Sequence, residues 1–325
     1  MQTNPAAAAL GRFAARHTDI DRADRIGVAF SGGADSTALL LAAEARWGAG
    51  RCCALHVDHG LQAAAALFSR HCRDFCQARG VAYAEAKADV HVGPGQSAEE
   101  QARDARYDAL ARLAHETGCA IVLLAHHGDD QAESLLLALL RGAGPRGLAA
   151  MPARMRRHGV EFARPLLDCG GAELRAWLDA RGVGYVHDPM NLDPAYRRSR
   201  IRHELLPVIA RLEPGYRRTL ARSATLCAAA DAALQQRARD DLQRCAVPGG
   251  LRLDALRALD AARCGEVLRL WLRDQGVRLD RARTEELVKQ VARTGQGAVR
   301  LEMRLPRGRI VRRAALLVLD AAPAG

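Results

Sequence analysis

Four short, almost uninterrupted apolar runs, Ile26–Phe30, Cys52–Val57, Val81–Ala86 and Ala120–Ala125, alternate with longer segments of helical character. A short run with no polar side is what a strand looks like when both faces of its sheet are covered. The intervening segments have the length of crossover helices. They are expected from Ser36 to about Trp47, with Leu39, Leu40 and Ala43 on one side, from Leu61 to Arg79, and from Asp129 to Leu140. Ser97 followed by Glu100 is a capping-box start for a further helix to about Glu116. Repeated strand–helix units of this kind build an α/β fold with a doubly wound parallel sheet. Sheets of this type bind ligands at the carboxyl ends of their strands. The polar segments SGGADS, HVDHG and HHGDD all fall at those ends.

Residues 141–147 (RGAGPRG) break the pattern, and a basic stretch follows to Arg157. Helices resume over Gly171–Arg181 and Ser199–Leu212, and Pro214-Gly215 marks a boundary. Beyond it, Tyr216–Cys245 and Ala261–Gln275 read as helices with arginine-rich exposed faces. Val299–Leu305 and Ile310–Leu319, around Pro306-Arg307-Gly308, read as a β-hairpin. The expected organisation is an N-terminal arm (1–23), the sheet domain (24–213), and a smaller, mainly helical C-terminal domain with a terminal hairpin (214–325).

Charge divides along similar lines. Residues 1–150 carry 15 basic and 17 acidic side chains, whereas 151–325 carry 33 and 20. A coding bias explains why only Lys87 and Lys289 are lysines, but it does not explain this asymmetry. The second part is therefore expected to meet a polyanion. With 49% apolar residues the chain has ample material for packed cores. Its longest pure apolar runs are too short to span a bilayer, and the N-terminus lacks the pattern of a secretory signal. A cytoplasmic location is expected. The nine cysteines include no C-x-x-C, which points to small buried apolar residues in a reducing compartment rather than a disulfide framework or zinc ribbon.

Ser31-Gly32-Gly33-Ala34-Asp35-Ser36 lies directly after a strand and opens a helix. Glycines allow a tight turn with exposed amides, the helix start adds partial positive charge, and the serine hydroxyls add donors for phosphate oxygens. Neither a Walker A loop nor G-x-G-x-x-G is present. Asp130 and Glu133, three residues apart near a helix start, share one face and form a carboxylate pair able to hold an ammonium group. Arg103 and Arg106 sit about one turn apart and suit phosphate contact. His126 and His127 lack a matching metal-ligand set. His126 suits hydrogen bonding to a nucleotide phosphate, one of the two suits a buried structural role, and His56 and His59 are candidates for lining the site. Arg197, Arg198, Arg200 and Arg202 cluster before an apolar helix. Aromatics are 4% of the chain, so Trp177, Tyr185 and Tyr196 are the stacking candidates for bases.

The S-G-G-x-D-S loop resembles that of the PP-loop ATP pyrophosphatases, a Rossmann-like superfamily. The later segments narrow the resemblance. They are HVDHGL from His56, EEQARDARY from Glu99, AHHGDDQAE from Ala125, Arg141-Gly142-Ala143-Gly144, Arg164-Pro165-Leu166-Leu167 and RIRHELLP from Arg200. In this order, over roughly residues 24–210, they look like the tRNA(Ile)-lysidine synthetase family. The resemblance implies that residues 31–36 hold the pyrophosphate portion of ATP and that Asp35 helps place Mg²⁺. It further implies that AMP and pyrophosphate are released and that Asp130 and Glu133 take the substrate L-lysine. The implied activity joins lysine to C2 of the wobble cytidine of an isoleucine tRNA with a CAU anticodon, through an adenylated tRNA intermediate. Asp35, Asp130, Glu133, His126 and Arg103 are the implied catalytic set, and the four clustered arginines the tRNA contacts. The family pattern R-N-R-I-R reads Arg198-Ser199-Arg200-Ile201-Arg202 here. A homodimer stays open. The rivals are a tRNA thiolation enzyme of the same superfamily, a non-catalytic tRNA-binding homologue and a small-molecule synthetase.

Overall fold

The computed structural model describes residues 3–58, 65–91, 98–186, 197–277, 279–294, 301–305 and 308–320. They form two compact units, Met1–Ala228 and Ala229–Gly325.

The first unit begins with α1 (Pro5–Arg16), capped by the Asn4 side chain, which accepts from the Ala6 amide. Ala6, Ala9, Leu10, Phe13 and Ala14 recur at helical spacing and are buried. The residues set apart from sequence as an arm thus carry a helix whose apolar stripe belongs to the main core, against α2 and α7.

The βα series follows as β1 (Ile26–Ala29), α2 (Ala34–Trp47), β2 (Cys52–Asp58), α3 (Ala65–Arg79), β3 (Ala82–Lys87), α4 (Ala98–Glu116), β4 (Ile121–Leu123) and α5 (Gly128–Leu140). All four strands expected from sequence are present, each within two residues of its reading at either end. Residues 61–64 and Ser97, expected at helix starts, lie outside the described residues. Next come α6 (Pro145–Leu148), β5 (Arg154–Arg157), β6 (Val160–Ala163) and α7 (Gly171–Asp179). The sheet runs β3-β2-β1-β4-β6-β5, parallel except for β5, which pairs antiparallel with β6. The all-parallel expectation fails only at this edge. There the stretch read as simply basic is a strand, and its charges are neutralised. Arg154 pairs with Asp19 and Glu161, and Arg157 with Asp104.

One face of the sheet is covered by α1, α2 and α7 and the other by α4, whose Tyr107, Leu110, Leu113 and Ala114 are buried. Strand order reverses between β1 and β4, so the two loops leaving them open side by side at the crevice where doubly wound sheets bind ligands.

The expected helix Ser199–Leu212 is broken into α8 (Arg197–Arg200), a π-turn over Ile201–Leu205 and α9 (Leu206–Leu212). Pro207 gives the cause, because it has no N–H and its ring crowds the carbonyl four residues back. α10 (Tyr216–Cys245) then begins in the first unit.

The second unit contains β7 (Ala246–Val247), β8 (Gly250–Arg252), α11 (Leu253–Arg257), α12 (Ala261–Asp274), α13 (Arg281–Arg293), β9 (Glu302–Leu305), β10 (Gly308–Arg313) and β11 (Leu316–Asp320). Its antiparallel sheet is ordered β7-β8-β11-β10-β9 around a core with Leu251, Leu268, Leu287, Ile310 and Leu317. The segment Ile310–Leu319, expected as one strand, is two strands folded back at Ala314, which adopts φ +52°.

Candidate active site

The loop after β1 is shaped by glycine. Gly32 has φ +79°, and a Cβ there would meet the Cys72 sulfur at 3.0 Å, so no other residue fits without strain. Its carbonyl accepts from the Val186 amide at 2.8 Å, and Gly33 bridges Val186. α2 starts at Ala34, so its first amides point out of the helix without carbonyl partners. Ser36 Oγ braces the turn, accepting from the Ser31 amide at 3.3 Å and donating to the Gly33 carbonyl at 2.9 Å. The unpaired amides at this helix start give the loop the form of an anion cradle. Asp35, in the first turn, has Oδ1 buried without a hydrogen-bond partner. Its other oxygen lies 3.5 Å from His127 Nε2.

The loop after β4 supplies the second half. His127 caps α5, and its amide donates to Asp130 Oδ2 at 3.0 Å. Its ring is buried, with Nε2 3.6 Å from Asp130 and Nδ1 3.7 Å from Asp129. Burial works against charge on this imidazole, but Asp130, Asp35 and Asp129 outweigh it and raise its pKa to about 8. Burial likewise opposes ionisation of Asp130, yet His127 and Arg198 hold its carboxyl down at about 2. Asp129 faces elsewhere. It accepts from the Gly171 amide at 3.0 Å and the Tyr216 hydroxyl at 2.6 Å, and pairs with Arg217, fastening α5 to the starts of α7 and α10.

Glu133 is fully buried, with both oxygens engaged. Arg202 Nε donates to Oε1 at 2.6 Å, and Arg198 Nε and Arg202 Nη2 donate to Oε2 at 2.8 and 3.1 Å. Arg202 also donates to Asp130 Oδ1 at 3.0 Å. The four clustered arginines are therefore divided. Arg198 and Arg202 turn inward to the carboxylate pair, while Arg197 is exposed and Arg200 pairs on the surface with Glu204.

A cationic group borders the same loop. Arg164 is 1% exposed, donating to the Tyr107 hydroxyl and the Pro152 carbonyl, each at 2.7 Å, with Nε unpaired. Arg106 also keeps an unpaired buried Nε. Burial, reinforced by repulsion from Arg103, Arg198 and Arg164, pulls its pKa down. Arg103 stacks on Tyr107, 5.5 Å from the ring centroid. Burial, together with Arg106 and Arg164, drives His126 well below its ordinary pKa, so it is a neutral imidazole with an unpartnered Nδ1.

A donor-rich helix start and a carboxylate pair at the switch point suit adenylation followed by capture by an amine. Comparisons with known proteins agree. A family described as a PP-loop domain matches residues 5–209, and one described as the TilS substrate binding domain matches residues 251–316. A tRNA(Ile)-lysidine synthase from Polaromonas naphthalenivorans is 45% identical over 88% of this chain and 87% of its own length. The chain belongs to the tRNA(Ile)-lysidine synthase family. A relative of the same description from Salinispora arenicola is 42% identical over 98% of both chains. Another, from Burkholderia pseudomallei, is 43% identical over 82% of this chain, which spans 55% of that relative's length. Among solved structures, the U34-tRNA thiolase NcsA from Methanococcus maripaludis with its [4Fe-4S] cluster aligns with TM-score 0.53 and 17% identity, over 62% of this chain and 71% of that one. That likeness speaks to the fold.

Of the residues expected at the site, Asp35 and Asp130 lie 3.5 and 3.6 Å from His127 Nε2, Glu133 shares Arg202 with Asp130, and His126 adjoins them in the same loop. His56 is buried, with Nδ1 2.8 Å from the carbonyl of Phe30, the residue just before the 31–36 loop. His59 and Tyr196 lie outside the described residues. Sequence reasoning gave one of the two adjacent histidines a buried structural role without saying which, and it did not single out the anchoring work of His127, Asp129, Arg164 and Arg217. The HHGDD and RPLL segments hold three of these residues, but nothing in a one-dimensional pattern says which way a side chain turns.

Proposed function

We propose that this chain uses ATP to join lysine to C2 of the wobble cytidine of an isoleucine tRNA with a CAU anticodon, releasing AMP and pyrophosphate. The observation that carries the reading is the pairing, across one crevice, of a phosphate cradle at 31–36 with the ionised Asp130. Match to the TilS substrate binding domain over 251–316 supports tRNA as the nucleic-acid partner.

The cradle amides, that of Ser36 included, and the Ser31 hydroxyl hold the pyrophosphate portion of ATP, while the Ser36 hydroxyl braces the turn. The cytidine C2 oxygen attacks the α-phosphate and takes on AMP, which turns a poor leaving oxygen into a good one. Neutral His126 donates a hydrogen bond to the adenylate, and Arg106, with Arg103 beside it, offsets phosphate charge. Asp35 suits Mg²⁺, since its Oδ1 is a buried, unpartnered hard oxygen, and Mg²⁺ takes few carboxylates alongside phosphates. Bound there, the ion would supply charge compensation on the departing pyrophosphate.

The lysine ammonium meets Asp130 first, because Glu133 is closed off by Arg198 and Arg202. It reaches Glu133 when a guanidinium gives way. The ε-ammonium gives up a proton to water, and the neutral amine then attacks C2 and expels AMP. Arg197 is positioned for tRNA phosphate. The domains are read as an ATP-binding body to about residue 213 and a basic substrate-binding region beyond it.

The test is nucleotide release by the purified chain. AMP should form only when both lysine and tRNA are present, and Asp35→Ala should abolish it. Undiminished AMP release by Asp35→Ala would remove the cradle assignment.

A further inference from the structure

We propose that His127 is a positioning residue shared by the two substrate sites, one buried imidazole that holds the ATP-loop carboxylate Asp35 and the lysine-site carboxylate Asp130 in register. The inference rests on the ligase reading above and adds to it a residue that contacts neither substrate.

The geometry is specific. A single ring nitrogen, Nε2, lies 3.5 Å from Asp35 Oδ2 and 3.6 Å from Asp130 Oδ2. Those carboxylates sit in the first turns of different helices, α2 and α5, whose starts converge at the switch point. The other nitrogen is 3.7 Å from Asp129, the residue that fastens α5 to α7 and α10. One ring nitrogen set between two carboxylates ties the first turn of α2 to that of α5, while Arg202 faces Asp130 and Arg217 faces Asp129.

The residue is fixed at its backbone and packed closely on one side of its ring. The His127 backbone pairs with Leu166, its amide caps Asp130, and only 5% of the residue is exposed. Beneath it lies Gly171, where an added Cβ would stand 2.7 Å from Nε2 and 2.9 Å from Cε1. Residue 171 must therefore lack a side chain for the imidazole to reach both aspartates. No local backbone need explains this glycine, because its φ lies outside the left-handed region and it occupies the first turn of α7. The space under the ring is what it supplies.

Two perturbations separate positioning from mere packing. His127→Gln removes the imidazole, while Gly171→Ala keeps it and displaces it. ATP–Mg²⁺ and lysine affinities are measured separately by calorimetry without tRNA, so that no turnover occurs, alongside the thermal midpoint. Each variant should weaken both ligands, His127→Gln by about tenfold or more. In the double variant the losses should be markedly less than additive, since Gly171→Ala has no imidazole left to displace. A packing defect would instead lower the midpoint without this two-ligand, non-additive pattern. Loss of one ligand only, unchanged affinities, or additive losses would overturn the inference. A wild-type chain that binds neither ligand would overturn the ligase reading along with it.

Discussion

Glu133→Gln is the substitution whose cost can be worked most directly from the structure. The carboxylate is sealed from solvent and accepts three bonds from two guanidiniums, at 2.6, 2.8 and 3.1 Å. A glutamine keeps the shape but must point its NH₂ at one of these donors. Placed at Oε1 it forfeits the 2.6 Å bond from Arg202 and keeps two; placed at Oε2 it forfeits two. The first arrangement wins. It still loses one charge-assisted bond, about 1.5–3 kcal/mol, and weakens the other two by removing their charge. Arg198 and Arg202 are 29% and 34% exposed, so water recovers part of the loss. The net destabilisation is about 2 kcal/mol, below the ~3–5 kcal/mol of a fully buried broken pair. For a unit of this size that is about 4–8 °C in thermal midpoint. The assay is calorimetric unfolding of wild type, Glu133→Gln, Arg202→Gln and the double variant. The single changes should each lower the first unit's transition, and the double should cost less than their sum by about 1 kcal/mol or more. A Glu133→Gln midpoint within a degree of wild type, or full additivity, would refute the idea that Glu133 anchors the two arginines.

Three further outcomes follow from the same geometry. Gly32→Ala forces a side chain into φ +79° against the Cys72 sulfur and should weaken ATP binding in a filter or calorimetric assay with little effect on lysine. Arg197→Ala, at an exposed guanidinium, should weaken tRNA binding evenly across tRNA species and reduce the salt slope of the binding constant by about 1. Asp130 has its carboxyl held down at about 2 in the folded chain, against 3.8 unperturbed. The stability it contributes is therefore complete above about pH 4 and disappears as pH falls toward 2, so Asp130→Asn should flatten the decline of thermal midpoint over that interval.

The sheet was readable because its central strands, β1, β2 and β4, are largely buried, which leaves an unmistakable run of apolar residues such as Ile121–Leu123. The site was readable because glycine turns and acidic helix starts fall at the ends of those strands. β5 was not, since Arg154–Arg157 carries arginines whose partners, Asp19, Glu161 and Asp104, are fixed only by folding. The cluster Arg197–Arg202 shows the same limit: four like charges in a row suggest one polyanion-facing surface. Helical geometry, with the π-turn before Pro207, instead sends Arg198 and Arg202 inward and leaves Arg197 and Arg200 outside. His126 and His127 are adjacent and chemically identical, yet one is neutral among arginines and the other lies among three aspartates. α1 hid behind its alanines, although Leu10 and Phe13 keep the spacing of a buried stripe.

The central claim is that a glycine cradle and an ionised carboxylate site cooperate to exchange a base oxygen for lysine through an adenylate. Mass analysis of isoleucine tRNA after incubation with the chain, ATP and isotopically labelled lysine tests it most directly. The account predicts one labelled lysine on the wobble cytidine, with AMP formed in equal amount. Unmodified tRNA, or ADP as the nucleotide product, would contradict it.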